Sequence, residues 1–433
     1  MQQLCAKSVS VLLVTCFAVS ASAESLKLSG RTMGTYYSVV VDSPAESLGD
    51  GSGLRKKIEA ALSRINTQMS TWDADSEISR FNKSQSTDWF AVSEEFAAVT
   101  TEAKRVWKLT DGAFDPTVEP LILLWGFGDD RRREIPEESE IEAALKQCGM
   151  QHLEVRADPP ALRKSLPALK LNLSAIAKGY AVDVIAELLV KEGCPRFVVD
   201  IGGENRAGTA KTSGEPWRLG VEAPTGGIRR VLEVTESSVA TSGDYRNNFQ
   251  SDGVVYSHAI SPTIGRPVEN PPASVSVMHS SCMTADALAT SMLVMNVEKG
   301  AALAEANSLS VFFQTVDSDG EITETAIGRF ADQKSEANTD QAAGNAGKKS
   351  AGAAWFPFAA AGVIFLIAVA GMSIGAILQN KSLKGSCGGI ASMPGNEGRS
   401  ICELCTVPKD ECTNAELRAK LQEAARCRET SDC

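Results

Sequence analysis

Residues 171–209, LNLSAIAKGYAVDVIAELLVKEGCPRFVVDIGGENRAGT, decide the fold class. Their first half predicts a short strand, a turn and a long helix, and their second half predicts a strand, a Gly-Gly turn and another strand. Further strands are predicted at 217–221, 231–234 and 274–278, with a helix at 283–294. Because strands and helices intermix without a regular β-α-β repeat, we predict an α+β fold with a mixed sheet.

The segments before this stretch continue the same pattern. Alternating apolar residues predict a strand within 25–43. Apolar residues at helical spacing predict helices at 54–69, 93–109 and 136–148, and Ser93 suits the N-cap of the second.

Composition limits the possible classes of protein. The chain has 433 residues, 43% of them hydrophobic and 22% charged, which is typical of globular proteins and long enough for two or three domains. A net charge of −11 without a basic patch argues against nucleic-acid binding. The absence of a G-x-G-x-x-G or Walker motif argues against a Rossmann or P-loop nucleotide site.

The N-terminus has the features of a secretory signal. Lys7 precedes an apolar run at 9–19, and the small residues at 21–23 form a cleavage site, so we predict a signal peptide at 1–23. Residues 13–16 loosely resemble a lipoprotein motif, although Thr15 fits it poorly. Lipidation at Cys16 is therefore the alternative.

The C-terminal part predicts a membrane anchor. Residues 355–378, WFPFAAAGVIFLIAVAGMSIGAIL, carry no charge and are long enough to cross a bilayer as a helix. The basic residues after them favour a cytoplasmic C-terminus. We therefore predict a domain at 24–333 outside a bacterial inner membrane, in the periplasm, a low-complexity linker at 334–354, the span, and a Cys-rich cytoplasmic tail at 379–433.

Four residues are candidates for a site on chemical grounds. Asp286 and Thr290 lie four apart, on one face of a helix, and offer oxygen ligands of the kind that Mg²⁺ prefers. Lys178 lies at a strand-to-helix turn, where a phosphate binds readily, and His258 has a side chain whose pKa suits a general base. The pair and the lysine also have plain alternatives, a helix-surface pair and a solvated lysine, whereas His152 and His279 are interpreted as structural histidines.

Trp72 stands out in a polar, turn-rich segment. It is either a packing residue or a flat surface for a planar ring.

Seven segments, in this order along the chain, resemble the FAD:protein FMN transferase family, also called the ApbE family. They are RTMGTYYSV (31–39), GAFDPTVEPL (112–121), LSAIAKGYAVD (173–183), VVDIGGE (198–204), SGDYRNNF (242–249), YSHAISPTIGRP (256–267) and TADALAT (284–290). Members of that family cleave FAD, attach its FMN half through a phosphoester to a threonine or serine of a target flavoprotein, and release AMP. The resemblance implies an ApbE-like catalytic domain.

The resemblance also implies roles for single residues. It makes Asp286, Thr290 and the Ala175 carbonyl ligands of Mg²⁺, with Ala289 nearby, and it makes His258 the base that takes the proton from the target hydroxyl. The residues that it places in the FAD pocket are Met33, Trp72, Ala113, Phe114, Asp115, Asn172, Lys178 and Ile260. Asn172 and Ser261 depart from the family pattern, which frequently has aspartate at both positions.

The tail resembles a second family, the membrane maturation factor of the sodium-translocating NADH:quinone reductase. The resemblance covers about residues 355–412 and includes KGSCGG (384–389). It implies iron delivery or iron-centre assembly, whereas a structural zinc site is the alternative for a set of four cysteines. The candidate metal ligands are Cys387, Cys402, Cys405 and Cys412.

The two resemblances together predict one function. They imply that the chain would transfer FMN from FAD, with Mg²⁺, to a threonine of flavoprotein subunits of the membrane NADH:quinone reductase, and that its tail would assist iron-centre assembly. Two alternatives remain at this point: a protein that only binds or hydrolyses FAD, and a membrane adaptor with a zinc-binding tail.

Overall fold

The computed structural model describes residues 25–42, 48–127, 135–244, 248–251, 254–317 and 319–333. The predicted signal peptide, linker, membrane span and Cys-rich tail lie outside these ranges. Within the ranges, no helix combines the length and apolar character that crossing a membrane requires.

The described residues form fifteen strands and eight α-helices. The strands are β1 (Leu26–Thr32), β2 (Thr35–Val41), β3 (Phe90–Ala91), β4 (Leu153–Ala157), β5 (Pro160–Lys164), β6 (Phe197–Ile201), β7 (Glu204–Ala207), β8 (Trp217–Glu222), β9 (Ile228–Val234), β10 (Ser237–Gly243), β11 (Asn248–Ser251), β12 (Val254–Ser257), β13 (Ser274–His279), β14 (Ser310–Val316) and β15 (Ile322–Ile327). The helices are α1 (Ser52–Met69), α2 (Glu77–Lys83), α3 (Glu94–Leu109), α4 (Glu119–Leu124), α5 (Glu138–Leu145), α6 (Ala177–Lys191), α7 (Cys282–Ala306) and α8 (Arg329–Asp332).

The central sheet of the described residues has eight strands in the order β1-β2-β6-β7-β10-β13-β14-β15. Every neighbouring pair in it is antiparallel. The α+β class is therefore confirmed, but the prediction of a mixed sheet is wrong. Two-residue turns explain part of the difference, because such a turn can join only antiparallel strands. They are Met33–Gly34 between β1 and β2, and Gly202–Gly203 between β6 and β7, all four with positive φ.

Most predicted elements have counterparts, and Ser93 caps α3 by accepting a hydrogen bond from the Phe96 N–H. The segment predicted as one strand within 25–43 is a hairpin of two. The short strand predicted at the start of 171–189 is absent from the described structure. There the Leu171 N–H donates to Asn82 Oδ1 at 2.8 Å and the Asn172 N–H donates to the Pro116 carbonyl at 2.7 Å, so side-chain and loop partners replace a strand ladder.

The main core lies between the sheet and helices α1, α3, α6 and α7. Strand residues such as Val39, Val199 and Val277 are buried against helix residues such as Ile58 and Ile185. Each fully buried aliphatic side chain of this kind contributes roughly 1.5–3 kcal/mol relative to an exposed one. This packing fixes the N-terminal halves of α6 and α7 beside each other.

A glycine allows the close contact between these two helices. A Cβ atom on Gly179 would lie 2.3 Å from the carbonyl oxygen of Cys282 and 2.8 Å from the Cβ atom of Asp286. No side chain larger than hydrogen fits there without a shift of α7. The contact brings the first turn of α6 directly against the turn of α7 that carries Asp286.

Candidate functional site

A cavity of about 890 Å³ opens beside this helix contact. This volume is in the range of sites that hold drug- or cofactor-sized molecules. Its wall comes from the start of α6, the middle of α7, the β6–β7 turn, the end of β10, and the loops around residues 113–116 and 258–262. Turns and strand ends of the sheet therefore line the cavity together with residues of the two helices.

Eleven of the thirteen site residues predicted in the described ranges line this cavity. They are Trp72, Ala113, Phe114, Asp115, Asn172, Ala175, Lys178, His258, Ile260, Asp286 and Thr290. The other two do not line it. Met33 sits in the β1–β2 turn and packs on the main core, while Thr35 lines the cavity instead. Ala289 is completely buried on the inner face of α7. The four cysteines predicted as tail ligands lie outside the described residues.

Lys178, Glu204 and Asp286 form a buried polar cluster. Lys178 Nζ lies 2.5 Å from Glu204 Oε1, and the Gly179 N–H donates to Asp286 Oδ2 at 2.9 Å. Burial raises the pKa of Glu204 to about 8, with a further contribution from the charge of Asp286, and Lys178 opposes this shift. Burial also raises the pKa of Asp286, again against the effect of Lys178. The cluster therefore has two carboxyl groups for one lysine, and both carboxyl groups hold a proton more readily than usual.

The same imbalance extends over the whole cavity. Its lining includes three more carboxyl groups whose pKa values are raised by burial, on Asp115, Glu119 and Asp200. Within the described structure, one carboxylate oxygen each of Glu119 and Glu204 is buried without a hydrogen-bond partner. Unpartnered buried carboxylate oxygens are costly, so this lining suits a ligand that brings positive charge or hydrogen-bond donors.

The donors around Asp286 suit a hard cation that retains some of its own ligands. Asp286 and Thr290 both line the cavity from one helix, Ala175 lines it as well, and Thr290 Oγ1 lies 3.0 Å from Ser242 Oγ. The described residues contain no group of three or more His, Cys, Asp or Glu side chains placed to hold a metal by themselves. A mixed set of carboxylate, hydroxyl and carbonyl oxygens fits Mg²⁺, which commonly keeps waters and phosphate oxygens.

His258 lies on another part of the cavity wall. Its Nδ1 atom is 3.2 Å from Asp244 Oδ1, and Phe127 contacts the ring edge to face with 6.4 Å between centroids. The side chain is 33% exposed, which leaves the ring accessible from the cavity. The other two histidines have local partners instead: Ser165 Oγ for His152, and the backbone of Ser281 for His279.

Trp72 and Asp115, two of the predicted FAD-pocket residues, differ in what they offer a ligand. Trp72 lines the cavity and is 79% exposed, so its interpretation as a packing residue is wrong. The Asp115 carboxylate is occupied by hydrogen bonds from Thr117 and from the Met150 N–H. It fixes the shape of its loop, whereas Trp72 presents a free planar surface.

Sequence reasoning overlooked Glu204 and Asp244 as site residues. Both stand inside segments that carry the family resemblance, VVDIGGE and SGDYRNNF. Their partners, Lys178 and His258, are separated from them by 26 and 14 residues. No local spacing pattern marks such pairs, so the quoted segments were the sole signal.

Comparison with family models gives two matches. Residues 33–313 match the model described as the ApbE family, and residues 376–426 match the one described as (Na+)-NQR maturation NqrM. The second match begins near the end of the predicted membrane span and continues past Cys412, so it extends farther toward the C-terminus than the resemblance over 355–412.

Individual relatives agree with the first match. The chain is 45% identical over 303 residues to the FAD:protein FMN transferase of Vibrio cholerae, covering 69% of this chain and 90% of that protein. It is 36% identical to the protein of the same name from Escherichia coli K12, covering 67% and 84%.

Two solved structures share the fold. The flavin transferase ApbE from Vibrio cholerae superposes with a TM-score of 0.66 at 42% identity, over 72% of this chain and all of that chain. The apo flavinyl transferase ApbE of Pseudomonas stutzeri gives a TM-score of 0.64 at 36% identity, over 71% of this chain and 96% of that chain. With the family model matched over 281 residues from 33 to 313, the chain belongs to the ApbE family.

Proposed function

We propose that this protein transfers FMN from FAD to a threonine hydroxyl of a target flavoprotein, in a reaction that depends on Mg²⁺. The observation that carries the proposal is the convergence of Lys178, His258, Asp286 and Thr290 on one cavity of about 890 Å³. These residues come from three separate segments of the chain, because Asp286 and Thr290 share α7. The relatives named FAD:protein FMN transferase support the same activity.

The reaction is a phosphoryl-group transfer in which one P–O bond forms and another breaks. The threonine oxygen bonds to the phosphorus of the FMN half, the phosphoanhydride bond of FAD breaks, and AMP leaves. His258 takes the proton from the attacking hydroxyl. Such reactions depend on positioning and on neutralising charge at the phosphate oxygens, and Lys178 supplies one fixed positive charge for this.

Asp286, Thr290 and the Ala175 carbonyl would hold Mg²⁺, which when bound supplies further charge neutralisation for the pyrophosphate. Trp72, together with the apolar side chains of Phe114 and Ile260, offers a surface for the planar flavin ring. The position of Lys178 at the first turn of α6 adds the helix N-terminus to the phosphate end of the site.

A labelling experiment tests the activity. The full chain is incubated with FAD, Mg²⁺ and a client fragment carrying the acceptor threonine, and the client is examined for covalent flavin fluorescence while AMP is measured. We expect a fluorescent client band and AMP in equal amounts, and neither with Asp286→Ala. A client in which valine replaces the threonine is the matched control.

The possible results separate the proposal from its alternatives. AMP release without a labelled band would identify an FAD hydrolase and contradict the transferase. Unchanged labelling by Asp286→Ala would contradict the metal assignment. Binding of FAD without release of AMP would indicate a protein that only binds flavin.

We propose further that the client is a subunit of the sodium-translocating NADH:quinone reductase and that the tail assists assembly of an iron centre. The match of residues 376–426 to the NqrM family supports this. The transferase domain would then be periplasmic, the span would cross the inner membrane, and the tail would be cytoplasmic. The iron and zinc content of the purified full chain, compared with a Cys387→Ser/Cys402→Ser variant, tests the tail, and stoichiometric zinc would favour the adaptor alternative.

A further inference from the structure

Asp244 is buried next to the candidate base. It follows directly after β10 and is 9% exposed. Its backbone N–H donates to the Ala273 carbonyl at 2.9 Å, which ties it to the segment before β13. Its Oδ1 atom receives two contacts, from Ser257 Oγ at 2.5 Å and from His258 Nδ1 at 3.2 Å.

Ser257 links the carboxylate to the backbone around the histidine. The Ser257 hydroxyl donates to Asp244 Oδ1 and accepts a hydrogen bond from the Ala259 N–H at 2.9 Å. The residues on both sides of His258 are therefore fixed to the same network. Phe127 borders the ring, and Phe249 stacks on Tyr256 with centroids 5.0 Å apart in the same hairpin.

The direction of this hydrogen bond decides which nitrogen of His258 carries the proton. An ionised carboxylate only accepts hydrogen bonds, so a neutral imidazole beside it must carry its hydrogen on Nδ1. The other nitrogen, Nε2, then has a free lone pair. A general base must present such a lone pair to the hydroxyl that it deprotonates.

We propose that Asp244 is a positioning residue that holds His258 in the Nδ1–H tautomer, so that Nε2 takes the proton from the acceptor threonine. This inference rests on the proposed FMN transfer. Asp244 itself does not touch the reacting atoms. It fixes the ring orientation and stabilises the imidazolium that forms when the proton arrives.

The test uses Asp244→Asn, which keeps the shape of the side chain but adds a donor. The asparagine amide can donate to Nδ1 and stabilise the opposite tautomer, with the hydrogen on Nε2. We expect kcat for client labelling to fall by roughly 10²–10⁴-fold, while KM for FAD stays within about twofold. Asp42→Asn is the matched control. Asp42 follows β2, at the opposite end of the β2–β6 pair from the Gly202 turn that lines the cavity, so this substitution should leave kcat unchanged.

A spectroscopic measurement distinguishes positioning from a merely structural role. The chain contains three histidines, so solid-state ¹⁵N NMR of the full chain with labelled histidine gives few signals, and His258→Gln assigns the relevant pair. We expect protonated Nδ1 and unprotonated Nε2 in the wild type, and the reverse in Asp244→Asn. Ser257→Ala should keep the wild-type tautomer.

The outcomes separate this inference from the proposed function. If NMR shows that His258 of the wild type is protonated on Nε2, the proposed role of Asp244 is wrong, whether or not Asp244→Asn folds. An unchanged kcat in a folded Asp244→Asn variant would also contradict it. A wild type that transfers no FMN refutes the proposed function, while the NMR result still decides whether Asp244 sets the tautomer.

Discussion

Replacing Gly179 with alanine should damage both stability and activity, although alanine normally favours a helix. The new methyl group would lie 2.3 Å from the Cys282 carbonyl oxygen, whereas ordinary contact begins at about 3.5 Å. Helices α6 and α7 must therefore separate by roughly 1 Å. Overpacking of this kind costs about 1–3 kcal/mol, and the better helix propensity of alanine offsets at most about 1 kcal/mol of it. We expect net destabilisation of about 1–2 kcal/mol.

The effect on activity should exceed the effect on stability. The Gly179 N–H holds Asp286 Oδ2 at 2.9 Å, so separation of the helices moves Asp286 relative to Lys178 and the rest of the cavity. A displacement of about 1 Å at a reacting group can cost roughly a hundredfold in rate. Client labelling below the unfolding temperature measures this loss, and thermal unfolding measures the stability.

Gly53→Ala provides the matched control. Gly53 lies in the first turn of α1, and a Cβ atom there would meet nothing within 4 Å. This variant should be unchanged or more stable by up to about 1 kcal/mol, with unchanged activity. If Gly179→Ala behaved like Gly53→Ala, the close contact between α6 and α7 would not hold Asp286 in place.

Three further predictions concern single side chains of the cavity. The pKa of Glu204 is about 8 in the folded protein without Mg²⁺, against 4.5 for an ordinary glutamate. Between these two pH values the folded protein binds more protons than the unfolded chain, so its stability falls as pH rises. Glu204→Gln should reduce this fall, measured as the unfolding temperature from pH 4 to 8. Lys178→Met should destabilise the protein by leaving Glu204 unpaired, and the double variant with Glu204→Gln should recover stability, which a double-mutant cycle would measure. Trp72→Ala should weaken FAD binding by about 3–10-fold in a fluorescence titration, with stability changed by less than about 0.5 kcal/mol because Trp72 is exposed; unchanged affinity would remove Trp72 from the flavin surface.

Local sequence patterns predicted the local features of this fold. The Gly202–Gly203 turn was predictable because two adjacent positive φ angles strongly favour glycine. The shared helix face of Asp286 and Thr290 followed from their spacing alone. The direction of strand pairing could not be predicted in this way. Strands β2 and β6 are neighbours in the sheet, but α1 to α6 lie between them in sequence, and no local pattern there determines whether the two strands pair parallel or antiparallel.

Two of the incorrect interpretations have similar physical origins. Residues 171–173 alternate like a strand, but their backbone groups find Asn82 and Pro116, which are far away in sequence. A packing role for Trp72 was plausible because composition does not reveal which aromatic side chains a fold leaves exposed. In both cases the deciding contact, or its absence, belongs to the tertiary structure.

The charge of the cavity links the binding of metal and flavin. Among the described residues, the lining carries six carboxyl groups, on Asp115, Glu119, Asp200, Glu204, Glu222 and Asp286, and one lysine. A pyrophosphate entering alone would meet many carboxyl groups and one lysine, and a cation entering alone would have to displace protons from carboxyl groups whose pKa values burial raises. Together they neutralise each other and complete each other's ligands, so each should raise the affinity of the protein for the other by the same factor. An acidic cavity is therefore consistent with an anionic substrate, provided that the substrate arrives with its cation.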